Sequence, residues 1–178
     1  HNQLSEVSIP DKVTKIGNFS FRDNLLTNIV LPEAVYKIGA YAFENNLLDT
    51  FIMSDNVGYI GEAAFSNNKL TGIRLSESLT RISDNCFLSN QLTSVEIPEG
   101  VLSIGEMSFS NNQLESVTLP ESLTEIKESA FSNNQLTAIT IPKNVVYIGR
   151  NAFLNNNIKA VEEPLLAHIY STSFDEGV

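Results

Sequence analysis

Apolar residues and asparagine recur along this chain with a period of 22 residues. Asparagine stands at position 2 and at every 22nd residue up to position 156, and an aliphatic residue follows each one two positions later. A strict repeat of about 20 to 29 residues is typical of a solenoid, in which each unit buries its apolar face only by stacking on its neighbours. The sequence therefore predicts an elongated array of stacked coils.

Each 22-residue unit has two halves with different patterns. Apolar residues such as Val7 and Ile9 alternate with a period of two, and β-branched types dominate, so unit positions 5 to 9 are predicted to form a short strand. Proline follows in most units and ends the strand, because it lacks the N–H that a ladder requires. In the second half, the spacing of three between Val13 and Ile16 leaves extended and helical conformations open. We expect a second short strand, or a helical or 3₁₀ turn.

The asparagine column is predicted to be structural. An asparagine amide both donates and accepts hydrogen bonds, so at a bend it can satisfy backbone groups of its own coil or bond to the asparagine one coil along. A residue that binds a partner has no reason to recur in every unit of an array. The predicted structural ladder consists of Asn24, Asn46, Asn68, Asn90, Asn112, Asn134 and Asn156.

The repeat pattern resembles that of a known family. The pattern LxxVxIPxxVxxIGxxAFxxNxx, clearest in residues 92–113 and 136–157, is similar to the BspA-type leucine-rich repeats of bacterial surface proteins. The resemblance implies an α/β leucine-rich repeat solenoid, right-handed and made of about eight 22-residue coils. It also implies a cell-surface or secreted adhesion and interaction module, and it assigns no catalytic residues.

The register of the repeats places the array at residues 1–160. The first three residues already have the phase of a mid-repeat position, which predicts that the chain is a fragment of a longer one. Beyond residue 160 the pattern decays: Tyr170 occupies the isoleucine column, and Phe174 comes one residue early. Residues 161–178 are therefore expected to form a degenerate last repeat or a C-terminal cap.

Composition and charge exclude several classes of function. The net charge of −10 argues against nucleic acid and anionic membranes as partners, and no apolar run of about 18 residues is present that could insert into a membrane. Cys86 is the only cysteine and falls in a column of small residues, while His1 and His168 lie at opposite ends of the array. We therefore expect no enzyme activity, no catalytic or metal-binding residues and no cofactor.

One column of carboxylates leaves a metal site open as an alternative. Acidic residues follow the strand-ending residue in six successive coils, and a coil spacing of about 4.8 Å would let adjacent carboxylates share Ca²⁺. The favoured interpretation is a solvated turn. The column comprises Asp11, Glu33, Asp55, Glu77, Glu99 and Glu121, and Lys143 interrupts it.

The outward positions of the strand are the candidate binding surface. In solenoids these positions line the concave face that binds partners, and most of them are small and polar in this chain. Val30 and Ile52 are apolar exceptions, and Arg74 occupies the same position in the next coil. A protein partner, such as a host surface or extracellular-matrix protein, is predicted to bind at Asn28, Val30, Thr50, Ile52 and Arg74.

Two alternatives to this prediction remain. Variable tyrosines in the second half of the coils offer a competing surface: Tyr36, Tyr41, Tyr59 and Tyr147. The array could instead be the spacer or substrate-targeting arm of an extracellular enzyme whose catalytic domain lies elsewhere in the parent protein. In either case we expect a secreted or cell-surface protein whose signal and anchor lie outside these 178 residues.

Overall fold

The computed structural model describes residues 2–162 and 168–169 of the chain. Over this range the backbone forms a right-handed β-solenoid in which successive coils stack in parallel. Each coil contributes a strand of up to three residues to one face and a strand of two residues to another. We call these the strand face and the second face.

Six strands form the strand face: β3 (Thr50–Ile52), β5 (Gly72–Arg74), β7 (Ser94–Glu96), β9 (Ser116–Thr118), β11 (Ala138–Thr140) and β13 (Ala160–Glu162). Eight strands form the second face: β1 (Lys15–Ile16), β2 (Lys37–Ile38), β4 (Tyr59–Ile60), β6 (Arg81–Ile82), β8 (Ser103–Ile104), β10 (Glu125–Ile126), β12 (Tyr147–Ile148) and β14 (His168–Ile169). The second half of the unit therefore adopts the extended alternative. Residues 5–9 and 27–31 form no strand, so about six complete turns are present and the prediction of eight coils is not confirmed.

The pairing register reproduces the period of the sequence. Thr50 pairs with Gly72 on the strand face, and Lys15 pairs with Lys37 on the second face, each 22 residues along. The last pair differs, because Ile148 pairs with Ile169 at a separation of 21 residues. The sequence-based placement of Tyr170 opposite Ile148 is therefore wrong by one position. Most of the predicted cap, residues 163–167 and 170–178, lies outside the described residues.

The predicted helical or 3₁₀ turn is not confirmed, since residues 2–162 and 168–169 contain no helix. Two residues per coil adopt positive φ, as at Phe19 (58°) and Asp23 (56°), and such residues cannot continue a right-handed helix. The N–H of Phe21 donates instead to the carbonyl of Ala42 in the next coil, at 2.8 Å. The fold is therefore a β-solenoid and not α/β. No helix long and apolar enough to cross a bilayer occurs in these residues.

A stack of phenylalanine rings forms the centre of the core. Rings of successive coils lie 5.3–5.7 Å apart between centroids, within about 18° of parallel. Side chains from Phe43 onwards in this column have no solvent exposure. The core therefore runs along the array, and each coil depends on its two neighbours. The stack comprises Phe21, Phe43, Phe65, Phe87, Phe109, Phe131 and Phe153.

The asparagine column joins each coil to the preceding one through backbone groups. In Asn46, Oδ1 accepts from the N–H of Leu26 at 3.1 Å, and Nδ2 donates to the carbonyls of Phe21 at 2.8 Å and Phe43 at 3.1 Å. Of the two alternatives for this column, the backbone is thus the partner, and the same set of bonds recurs at Asn68, Asn90, Asn112 and Asn134.

Bonds between side chains of successive coils occur in the neighbouring column instead. Nδ2 of Asn155 donates to Oδ1 of Asn133 at 2.7 Å, and Nδ2 of Asn45 donates to Oδ1 of Asp23 at the same distance. These residues have positive φ and are exposed or half-exposed, so this second ladder runs along the surface.

Candidate interaction surface

The five residues predicted to bind a partner line one open groove on the strand face. The groove has a volume of about 520 Å³, and Asn28, Val30, Thr50, Ile52 and Arg74 all contribute to its lining. Alternate residues of a strand point to opposite sides, so the middle residue of β3 is buried while Thr50 and Ile52 face solvent. The structure thus places the five together, and their binding of a partner stays a prediction.

The apolar part of this groove is unusually exposed. Val30 is 76% exposed and Ile52 is 75% exposed, and they are the two most exposed large hydrophobic side chains among the described residues. They occupy the same position in adjacent coils. Isolated exposed hydrophobic residues are common on protein surfaces, but adjacent ones on a rigid face offer a contiguous apolar contact.

Arg74 is already bonded within the molecule. Its Nη2 donates to both carboxylate oxygens of Asp55, at 2.8 and 2.9 Å, and its Nη1 donates to the carbonyl of Met53 at 3.1 Å. Hydrogen bonding from Arg74 lowers the pKa of the Asp55 carboxyl below its ordinary value, and Asp55 raises the pKa of Arg74. Arg74 therefore lines the groove as one member of an ion pair, with its charge balanced by Asp55.

Sequence reasoning did not pair Asp55 with Arg74. The two lie 19 residues apart, one coil minus three positions, so that a turn residue of one coil meets a strand residue of the next. Once the coil register is known, this offset of 19 residues predicts which turn residue and which strand residue can form an ion pair. Both side chains are about half exposed, so we expect the pair to position Arg74 more than to stabilise the fold.

The carboxylate column makes contacts with polar groups of the next coil. Oε2 of Glu33 accepts from the hydroxyl of Ser54 at 2.9 Å, and Oε2 of Glu121 lies 3.8 Å from Nζ of Lys143. Among the described residues, no group of three or more His, Cys, Asp or Glu side chains is placed to hold a metal ion. The column lies along the rim of the strand face, where its members line the grooves.

The competing tyrosines lie on the other side of the coils. Tyr36 is 46% exposed and Tyr59 is 41% exposed. Nζ of Lys15 lies 5.3 Å from the ring centroid of Tyr36, and Nζ of Lys37 lies 4.7 Å from that of Tyr59. These cation–π contacts cover part of each ring and give this surface a basic, aromatic character. Tyr147 belongs to β12 on the same face, four coils beyond Tyr59.

Tyr41 belongs to a separate aromatic cluster that the sequence did not reveal. Its ring stacks on that of Phe19 with centroids 5.0 Å apart, and its hydroxyl donates to Glu62. This hydrogen bond raises the pKa of Tyr41. The guanidinium of Arg22 lies about 5.5 Å from both rings and 2.6 Å from the carboxylate of Glu44. Phe19 and Tyr41 both have positive φ, which is uncommon for aromatic residues and not visible from sequence.

The residues weighed for catalysis do not form a site in the described part of the chain. Cys86 is fully buried, and burial raises the pKa of its thiol. A buried thiol with a raised pKa is inert toward substrates in solution. His168 lies in β14 at the end of the array, and His1 lies outside the described residues.

Comparisons with known proteins agree with the resemblance noted in the sequence. The profile of the family described as BspA type leucine rich repeat region matches in six copies, over residues 1–112 and 80–176. A leucine rich cell surface protein from Faecalibacterium prausnitzii is 34% identical and superposes with a TM-score of 0.73; the match covers 89% of this chain and 45% of that protein.

Other solved structures show the same fold at lower identity. A leucine-rich repeat protein from Eubacterium ventriosum is 23% identical with a TM-score of 0.74, and the match covers 92% of this chain and 45% of that one. One from Bacteroides ovatus is also 23% identical, with a TM-score of 0.73 and coverages of 86% and 41%. This chain spans less than half the length of each of the three proteins.

No curated protein matches the chain. The family profile nevertheless covers residues 1–176 in overlapping matches. The chain belongs to the BspA-type leucine-rich repeat family.

Proposed function

We propose that the chain is a non-catalytic protein-interaction module whose partner docks on the strand face, over Val30 and Ile52. One observation carries the proposal: the two most exposed large hydrophobic side chains of the described residues are neighbours on that face. Binding energy in protein interfaces concentrates in a few apolar anchors that a polar rim surrounds. Asn28, Thr50 and the Arg74–Asp55 pair supply such a rim here.

The proposed setting is the cell surface or the extracellular space. It rests on the F. prausnitzii relative, which is named a cell surface protein and is 34% identical. Host surface or extracellular-matrix proteins are then the class of partner to test first, and adhesion is the proposed role. No cofactor is part of this proposal.

The double substitution Val30→Thr and Ile52→Thr is expected to weaken binding of such a partner by about tenfold or more. Threonine keeps the branched shape but exposes a hydroxyl, and it already occupies this column at positions 118 and 140, so the fold should be retained. A partner would be captured from host surface and matrix proteins, and its affinity would be measured for both chains.

The matched control is the double substitution Tyr36→Thr and Tyr59→Ser in the same two coils. Threonine and serine occur naturally in these columns, at positions 80 and 103. This variant should bind as the unmodified chain does. If the tyrosine variant loses the partner and the Val30/Ile52 variant retains it, the docking surface is the second face and the proposal fails.

A further inference from the structure

We propose that the partner presents an apolar side chain flanked by lysine or arginine residues. This inference deepens the proposed function and rests on it, because it specifies the chemistry of whatever docks over Val30 and Ile52. Its basis is the distribution of charge around the exposed apolar pair.

The strand face carries a large excess of carboxylates. Four grooves along this face are lined by only two basic side chains, Arg74 and Lys143. Each of these is already close to a carboxylate, of Asp55 and Glu121 respectively. The acidic residues that line the same grooves are Glu6, Asp11, Glu33, Asp55, Glu77, Glu96, Glu99 and Glu121.

Glu33 and Glu77 are two carboxylates of the acidic rim, in the coil of Val30 and in the coil that follows Ile52. Glu33 lines the same groove as Val30 and Ile52, and the hydroxyl of Ser54 holds its Oε2 at 2.9 Å. Glu77 is one coil beyond Asp55, in the groove that Arg74 also lines. Arg74 is bonded to Asp55 and also interacts with the charge of Glu77, so a single cation faces the five carboxylates that line the two grooves to which it contributes. An apolar residue that docks here thus enters an anionic surrounding.

The second face of the coils of Val30 and Ile52, and of the coils on either side, has the opposite character. Its strands present Lys15, Lys37 and Arg81 at exposed positions. A basic segment is therefore steered toward the strand face and away from the second face, while an acidic segment is repelled from the apolar pair. The apolar contact supplies affinity, and the carboxylates select which apolar segments approach.

Short synthetic peptides test this inference directly. Each peptide is a glycine-serine chain with one central isoleucine, flanked on each side by two lysines, two serines or two glutamates, and a fourth peptide has the lysines without the isoleucine. Fluorescence anisotropy would measure their binding to the whole chain at low and at physiological salt. The lysine–isoleucine peptide should bind at least about tenfold more tightly than the other three, and its affinity should fall as salt rises.

Charge-only variants locate the effect. The pair Glu33→Gln and Glu77→Gln should weaken binding of the lysine–isoleucine peptide several-fold and reduce its salt dependence. The control pair Glu106→Gln and Glu128→Gln changes the net charge equally, at exposed positions outside these grooves, and should leave binding unchanged. The Val30→Thr and Ile52→Thr variant should also weaken binding.

Several results would overturn the inference, and they differ from those that overturn the proposed function. Equal binding of the serine or glutamate peptide, equal loss in both glutamine pairs, or binding of none of the peptides at millimolar concentration would each contradict it. If a captured protein still depends on Val30 and Ile52 while showing no preference for basic peptides, the proposed function stands and this inference fails. If the lysine peptide without isoleucine binds equally well, attraction is only electrostatic and the inference also fails.

Discussion

Replacing Phe109 by alanine is expected to lower the free energy of unfolding by about 3 to 5 kcal/mol. Phe109 has no solvent exposure, and its ring lies between those of Phe87 and Phe131, at 5.3 and 5.4 Å. Removing it leaves a cavity in the core, which also contains buried aliphatic side chains such as Val101 and Ile104. Because each coil contacts only its neighbours, the coils on the two sides of the cavity should also lose part of their mutual stabilisation.

Urea unfolding followed by circular dichroism would measure this effect. Phe19→Ala is the matched control, since Phe19 is 51% exposed and alanine occurs in its column at position 63. Loss of the exposed stacking contact with Tyr41 should cost about 1 kcal/mol or less. A similar loss of stability in the two variants would show that the phenylalanine stack is not the main core of the array.

Replacing Asn112 by alanine is expected to cost about 2 to 4 kcal/mol. The amide of Asn112 is the acceptor for the N–H of Leu92, at 3.1 Å, and it donates to the carbonyls of Phe87 and Phe109, each at 3.0 Å. Those carbonyls keep a second bond, from Asn90 and Asn134. Among the described residues the Leu92 N–H has no other acceptor, so the largest part of the loss comes from leaving it buried and unpaired.

Two further variants separate the contributions of Asn112. Gln113→Ala removes an exposed amide at the adjacent position and should change stability by less than about 0.5 kcal/mol. Asn112→Asp keeps an acceptor for Leu92 but places a carboxylate against two carbonyls, so it should also be strongly destabilising. Thermal unfolding of all three variants checks these expectations. Unfolding of Asn112→Ala at the same temperature as the unmodified chain would contradict this account of the ladder.

Most of the fold could be predicted from the sequence, because the repeat period of the sequence is also the period of the stacked coils. The column of Asn46 predicted a bend that needs an amide, and the alternation around Phe51 predicted which side of the strand is buried. The partners of Asn46 could not be read from sequence, since they depend on how far one coil is displaced against the next. In the structure, Asn46 bonds to Leu26 and Phe21 in the preceding coil.

The helical or 3₁₀ turn, one of two alternatives for the second half of the unit, was not confirmed, and the reason is local. The positions of Phe19 and Tyr41 adopt positive φ, a conformation that glycine or asparagine usually marks. The aromatic residues at these positions give no such signal, and in their column only Asn85 and Asn151 carry it. Hydrogen bonding between coils, such as that from the N–H of Tyr41 to the carbonyl of Glu62, stabilises this backbone after the coils have stacked.

The candidate groove could be predicted only in outline. The exposed column that contains Val30 and Ile52 follows from strand alternation, and the structure places both in one groove. The ion pair between Arg74 and Asp55 could not be predicted, because it depends on the turn geometry of the preceding coil. This pairing changes the expected partner, since it leaves the surroundings of the apolar pair acidic instead of mixed.

Site-specific crosslinking tests the central claim, that a partner docks on the strand face, most directly. A photoreactive phenylalanine derivative would be introduced at Thr50 in β3 or at Tyr59 in β4, two exposed positions of one coil on different faces. Equal melting temperatures of the two labelled chains would establish that both are folded. The account predicts that a captured partner crosslinks from position 50 and not from position 59. Crosslinking from position 59 alone would contradict it.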